Sequence, residues 1–169
     1  MTQMANYNSN SSLPLSPAKI AWCLYFFCLV LSFIVPKGNF LSDLIGIVGT
    51  TALISAIILS IIEYVSNKKK RETIAKQNIV RNLNTLQDSF DENIANAILS
   101  DLKDISSSSD GQIFYNSALE LISIHHGNAK IKVFALNMGR WYYSLLRPEK
   151  KPTIYDEQAI QNDINARTS

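Results

Sequence analysis

The chain has 169 residues with a formal net charge of +2 and a hydrophobic fraction of 47%. That length suits one modest domain plus an anchor, not two full domains. The charge is too small to argue for nucleic acid, and the apolar residues are unevenly spread, with most of the long runs between Ile20 and Ile62.

Residues 1–17 form a polar, breaker-rich tail with no charged side chain, and composition predicts disorder there. The first apolar run, Ile20–Val35, contains no charge. Lys19 precedes it and Pro36 ends it. Counting Ala18 and a snorkelling Lys19, it predicts a span over 18–35. Trp22 and Tyr25 suit an interfacial aromatic belt. A cleavable signal peptide fits poorly, because no basic start precedes the run and Val35-Pro36 is a poor cleavage context. Both cysteines, Cys23 and Cys28, lie in this run. Five apart on a helix they point to different faces, so they read as small apolar residues and not as a disulfide or metal pair.

Pro36-Lys-Gly-Asn39 is a turn by composition. The second apolar run, Leu44–Ile62, is 19 residues without charge, bracketed by Asp43 and Glu63. It predicts a second span over 42–63, making residues 18–66 an antiparallel transmembrane hairpin. Gly46 and Gly49 permit close helix approach. Thr50, Thr51, Ser55 and Ser60 can bond their own backbone carbonyls.

Lys68, Lys69, Lys70 and Arg71 follow directly as a membrane-interface basic cluster. With Lys76 and Arg81 they make six cations within twenty residues, against Lys37 alone in the connecting turn. That asymmetry predicts a multi-pass inner (plasma) membrane protein with both termini cytoplasmic.

Residues 67–105 predict one long amphipathic helix, with Ile79, Leu83, Leu86, Phe90, Ile94, Ile98 and Leu102 at helical spacing. Two covers are open for that stripe: the segments that follow, or a protein partner or second copy bound through residues 74–105. Ser106–Gly111 reads as a linker or turn, with Ser109 and Gln112 as a capping-box pair. A helix over 112–126 follows, closed by Gly127.

Lys130–Leu136 alternates Ile131, Val133 and Ala135 with Lys130, Lys132 and Phe134, which predicts a strand. Asn137-Met-Gly-Arg140 would then turn from strand to helix. The expected fold class is therefore mainly α: a two-helix hairpin, a long amphipathic helix, and a small segment over 112–169, α/β or α, with about one strand. Thr153 and Asp156 form another capping-box pattern, opening a last helix over about 154–166.

The chemistry-bearing motifs are sparse. No phosphate loop, nucleophile elbow or zinc-protease pair occurs. His125 and His126 are the only histidines, and neighbours on a helix seldom ligate one metal. No metal, no cofactor and no catalytic residue is expected. Asn137, Gly139 and Arg140 are a candidate anion or nucleotide contact, resting on free backbone donors at a helix start and a guanidinium fork. Trp141, Tyr142 and Tyr143 read as packing, with base stacking the alternative.

Phe114–Trp141 resembles the opening helix and strand of phospholipase-D-like domains. The family's His-x-Lys-x-x-x-x-Asp motif is absent, since His126 is followed by Gly127 and Asn128, so its activity does not carry over. The layout as a whole resembles two-helix membrane effectors of bacterial anti-phage systems, including those encoded beside retrons. That resemblance implies a lipid bilayer, homo-oligomers or a cytoplasmic protein as partners, and no direct nucleic acid. The alternatives are a non-catalytic membrane anchor or assembly subunit, and a membrane-tethered nucleotide-sensing or phospholipase-D-like fragment.

Overall fold

Ser16 opens the first helix, its hydroxyl accepting from the Lys19 backbone N–H at 3.4 Å, with Pro17 in the first turn where its missing donor costs nothing. The computed structural model describes residues 16–36 and 38–168. The tail predicted over residues 1–17 and the turn cation Lys37 therefore fall largely outside the described residues.

The chain divides into two units, residues 1–66 and 67–169. In the first unit, helix α1 runs Pro17–Ile34 and stops before Pro36, which disfavours helical backbone in its predecessor. Gly38 takes a positive φ of 96° in the turn. Helix α2, Phe40–Asp88, begins in this unit. The two helices are antiparallel: Ser16 donates to the Glu63 carboxylate at 3.2 Å, and the Trp22 indole to the Ser60 hydroxyl at 3.2 Å. A Cβ on Gly49 would sit 3.4 Å from Cys28 Cβ, so this glycine lets the two backbones approach. α1 and α2 are each long and apolar enough to cross a membrane, and only 11% of each apolar window is buried.

The second unit is entirely helical among the described residues. α2 continues to Asp88, α3 spans Glu92–Asp101 with a 3-10 turn over Leu102–Asp104, α4 spans Ser108–Ile124, α5 Ala129–Leu146 and α6 Ile154–Thr168. The single long helix expected over 67–105 is interrupted at 89–91. Asp91 extends its backbone and its carboxylate accepts the Asn93 N–H at 2.7 Å, which starts a new helix.

The predicted strand is corrected: residues 130–136 lie inside α5. Asn128 caps that helix by accepting from Lys130 N–H at 2.9 Å. Ile131, Phe134, Ala135, Met138, Gly139 and Tyr142 are its buried residues, at steps of three, one, three, one and three, while Val133 is 57% exposed.

The core answers what covers the amphipathic stripe. Ala75, Ile79, Leu83, Leu86, Ile98 and Leu102 belong to one buried cluster with Phe114, Ala118, Ile122, Ile131, Phe134, Met138, Ile160 and Ile164. The following segments fold back on the stripe, with Phe90 and Ile94 only partly buried against the core. α4, α5 and α6 pack on one another, and α3 packs on α5.

Polar clips hold the ends. The His125 ring lies with Nε2 2.7 Å from the Leu86 carbonyl oxygen, satisfying one of the open acceptors in the last turn of α2. His126 and Gly127 both take positive φ at the close of α4. Lys76 bridges Glu72 at 2.9 Å and Asp110 at 2.6 Å. The expected Ser109–Gln112 box does not form: α4 starts at Ser108, and Gln112 instead donates to Asn116 at 3.0 Å.

Candidate functional site

The residues singled out for anion binding do not converge. Asn137, Gly139 and Arg140 sit mid-helix in α5, where the backbone donors are already used, so the strand-to-helix turn that motivated them is absent. They also point to different sides. Asn137 lines a groove, Gly139 is buried against Ile160 and Tyr115, and Arg140 Nε pairs with Glu157 Oε1 at 2.7 Å. The arrangement supplies no cradle for a phosphate.

That groove runs between α3 and α5 with a volume of 330 Å³. Phe90, Ala95, Leu99, Val133 and Phe134 give it an apolar lining, and Lys130 pairs with Glu92 at 2.9 Å beside it. Phe90 meets Phe134 edge-on with ring centroids 6.1 Å apart. The break at 89–91 is what places Phe90 there, and sequence reading missed it by extending the helix through.

A second cleft, between α4, α5 and α6, is polar and holds the tyrosines. Tyr115 donates to Asp163 at 3.0 Å, Tyr142 donates to Gln112, and the Tyr115 and Tyr142 rings stack with centroids 5.6 Å apart. Burial, reinforced by Asp163, pushes the Tyr115 hydroxyl well above the ordinary phenol range, and burial raises Tyr143 as well. Both phenols stay protonated at neutral pH, and that of Tyr115 donates to Asp163. Trp141, Tyr142 and Tyr143 are thus packing residues, and the stacked pair presents no free ring face between its members.

Asp156 is the one buried charged side chain among the described residues, 5% exposed. It accepts from the Thr153 backbone N–H at 2.8 Å and hydroxyl at 2.9 Å, and from Arg147 at 3.1 Å. The Thr153–Asp156 pair read from the sequence is the N-terminal cap of α6. The Thr153 bonds hold the Asp156 carboxyl below the usual carboxylate range. Lys76 does the same for Glu72 and Asp110. Carboxyls lowered on folding contribute stability that is present above their unfolded pKa near 4 and lost as pH falls through the folded value. Asp156→Asn is expected to lower the melting temperature at neutral pH and to flatten its decline below about pH 4. Thermal melts across pH check this, and an unchanged acid limb would remove Asp156 from the account.

No group of three or more metal-ligating side chains occurs among the described residues, and no buried side-chain nitrogen or oxygen there lacks a partner. Lys68, Lys69, Lys70 and Arg71 are exposed on α2. Comparison of the chain with protein-family models, with curated proteins and with solved structures finds no match.

Proposed function

We propose that this chain is a two-span membrane protein of the effector or signalling kind, whose residues 67–169 form a helical partner-binding module and whose hairpins cluster in the bilayer. The observation that carries the membrane reading is the exposure of α1 and of the apolar part of α2. Only 11% of each window is buried, whereas the core helix of a soluble protein is mostly covered. Phe26, Phe27, Phe33, Ile47, Ile54 and Ile61 are among the exposed side chains, and water is a poor solvent for such a surface. A signal sequence accounts for α1 at most, not for the second window.

Orientation follows the cations: the basic run after α2 favours the cytoplasmic side for residues 67–169. Support for partner binding comes from the α3–α5 groove, a recess of the helical unit with an apolar lining. Clustering draws on Gly46, which has open space beside its Cα on the hairpin. The layout shared with two-helix anti-phage effectors suggests the working order, in which loss of the bound partner frees the hairpins to assemble. Neither span carries an Asp, Glu, Lys, Arg or His at mid-depth, so any leak would be a disruption of the bilayer and not a selective path.

Ile54→Lys tests both parts. Ile54 is 58% exposed on α2, and a lysine there costs insertion about 3 kcal/mol at mid-bilayer. Wild type is expected to resist alkaline extraction from bacterial membranes and to depolarise cells on induced expression, with the variant losing the second effect. Depolarisation that is equal in both would sink the effector reading. Release of wild type by alkali would sink the membrane reading itself.

A further inference from the structure

Lys68, Lys69, Lys70 and Arg71 are four consecutive cations on one helix, all exposed. An α-helix turns about 100° per residue, so four neighbours point in four directions around its circumference. A charged face made for one protein surface repeats at spacings of three and four. This run makes a collar.

Its surroundings leave it unneutralised. No carboxylate pairs with any of the four among the described residues, whereas Lys76, Lys130, Arg140 and Arg147 all have acidic partners. The acids nearest on α2 are occupied: Glu72 by Lys76 and Ser106, and Glu63 by Ser16. Tyr64 is 71% exposed just before the collar, a residue type enriched at membrane–water interfaces.

The spacing fits a headgroup layer. Ile62 ends the uncharged run, and Lys68 follows six residues on, about 9 Å along a helix. Headgroups add about 5–8 Å beyond the hydrocarbon on each side, and lysine stems reach back over the difference. We propose that the Lys68–Arg71 collar binds anionic phospholipid headgroups on every side of the helix, so that the protein gathers acidic lipid around its second span. This rests on the membrane reading above. A ring of charge suits a lipid surface pierced by the helix, because that surface meets all four side chains at once.

The test uses the full chain in phosphatidylcholine vesicles containing one quarter phosphatidylglycerol. Spin-labelled phosphatidylglycerol and phosphatidylcholine report which lipid sits at the protein. The expected preference for the anionic lipid is about fivefold, falling towards parity in about 1 M salt and in K68Q/K69Q/K70Q/R71Q. Glutamine keeps nearly the helix propensity of lysine and arginine, so residues 67–169 should melt as in wild type. If the quadruple variant melts early, K69Q/K70Q is read in its place, with an expected loss of about half the logarithm of the preference. Parity in wild type overturns the proposal, and so does a preference unchanged by the substitutions. Binding of a short DNA duplex by the detergent-solubilised chain, lost in the variant and without lipid preference, overturns it in favour of nucleic acid. Flotation of wild type with pure phosphatidylcholine vesicles is run beside these. Failure to float counts against the membrane reading, while flotation with parity counts against the collar alone.

Discussion

Gly139→Leu is expected to unfold residues 67–169. A Cβ at this position would fall 2.8 Å and 2.9 Å from the Ile160 methyl and methylene carbons and 3.0 Å from the Tyr115 ring. Ile160 is fully buried and Tyr115 is 2% exposed, so neither has room to retreat. α6 rests on α5 at this point, and any side chain there pushes the two apart. Helix propensity works the other way, favouring ordinary residues over glycine by about 1 kcal/mol. Overpacking a filled core costs about 1–3 kcal/mol for small additions. Gly139→Ala is therefore expected to lose about 1 kcal/mol net, and leucine about 3 kcal/mol or more, a large share of a small unit's stability. Near-ultraviolet circular dichroism of the solubilised chain, with its tyrosines beside the contact, reads the transition. A leucine variant that melts like wild type would show that α6 does not pack here.

Ile79→Asp set against Val80→Asp gives the second large effect. The two positions are adjacent on α2, yet Ile79 is fully buried and Val80 is 50% exposed. An aspartate at 79 places a carboxylate among aliphatic side chains with no donor to meet it, at a cost of several kcal/mol. Burial raises the pKa of such a group, so the folded form regains stability as pH falls and the side chain takes up a proton. At 80 the same substitution faces water and should stay within about 0.5 kcal/mol of wild type. The comparison also decides what covers the stripe. If α4 and α5 cover it, Ile79→Asp unfolds the unit at any protein concentration. Dissociation of an assembly into folded monomers would mean that a second copy covers it instead.

The elements differed in how plainly the sequence announced them. Both apolar helices were legible because nineteen uncharged residues in a row at Leu44–Ile62 leave few other readings. The stripe from Ile79 to Leu102 was legible as a face, but periodicity alone cannot say what lies against it. α5 resembles a strand only over the seven residues Lys130–Leu136. Ile131, Val133 and Ala135 alternate, and a short β-branched run satisfies both periods. Extending the window to Met138 and Tyr142 restores the helical spacing, and Asn128 is an ordinary cap for it. The same resemblance created the Asn137–Arg140 anion site, since a helix start was inferred where a helix was already under way. The interruption at 89–91 did have a signal, Asp91 followed by Glu92, which is a plausible start embedded in a sequence without Gly or Pro. The groove was not legible at all, because it joins residues about forty positions apart.

The order in which the core is assembled has a cost in time. The buried face of α2, from Ala75 to Leu86, is synthesised early, while Ile131 and Met138, which help to cover it, come some fifty to sixty residues later. At the usual 5–20 residues per second, translation leaves that face without its full cover for about 3–12 s. A nascent chain of this kind therefore needs something to shelter Ile79, Leu83 and Leu86 during those seconds, either a chaperone or the lipid surface beside which they emerge, and truncation anywhere before α5 would make the exposure permanent.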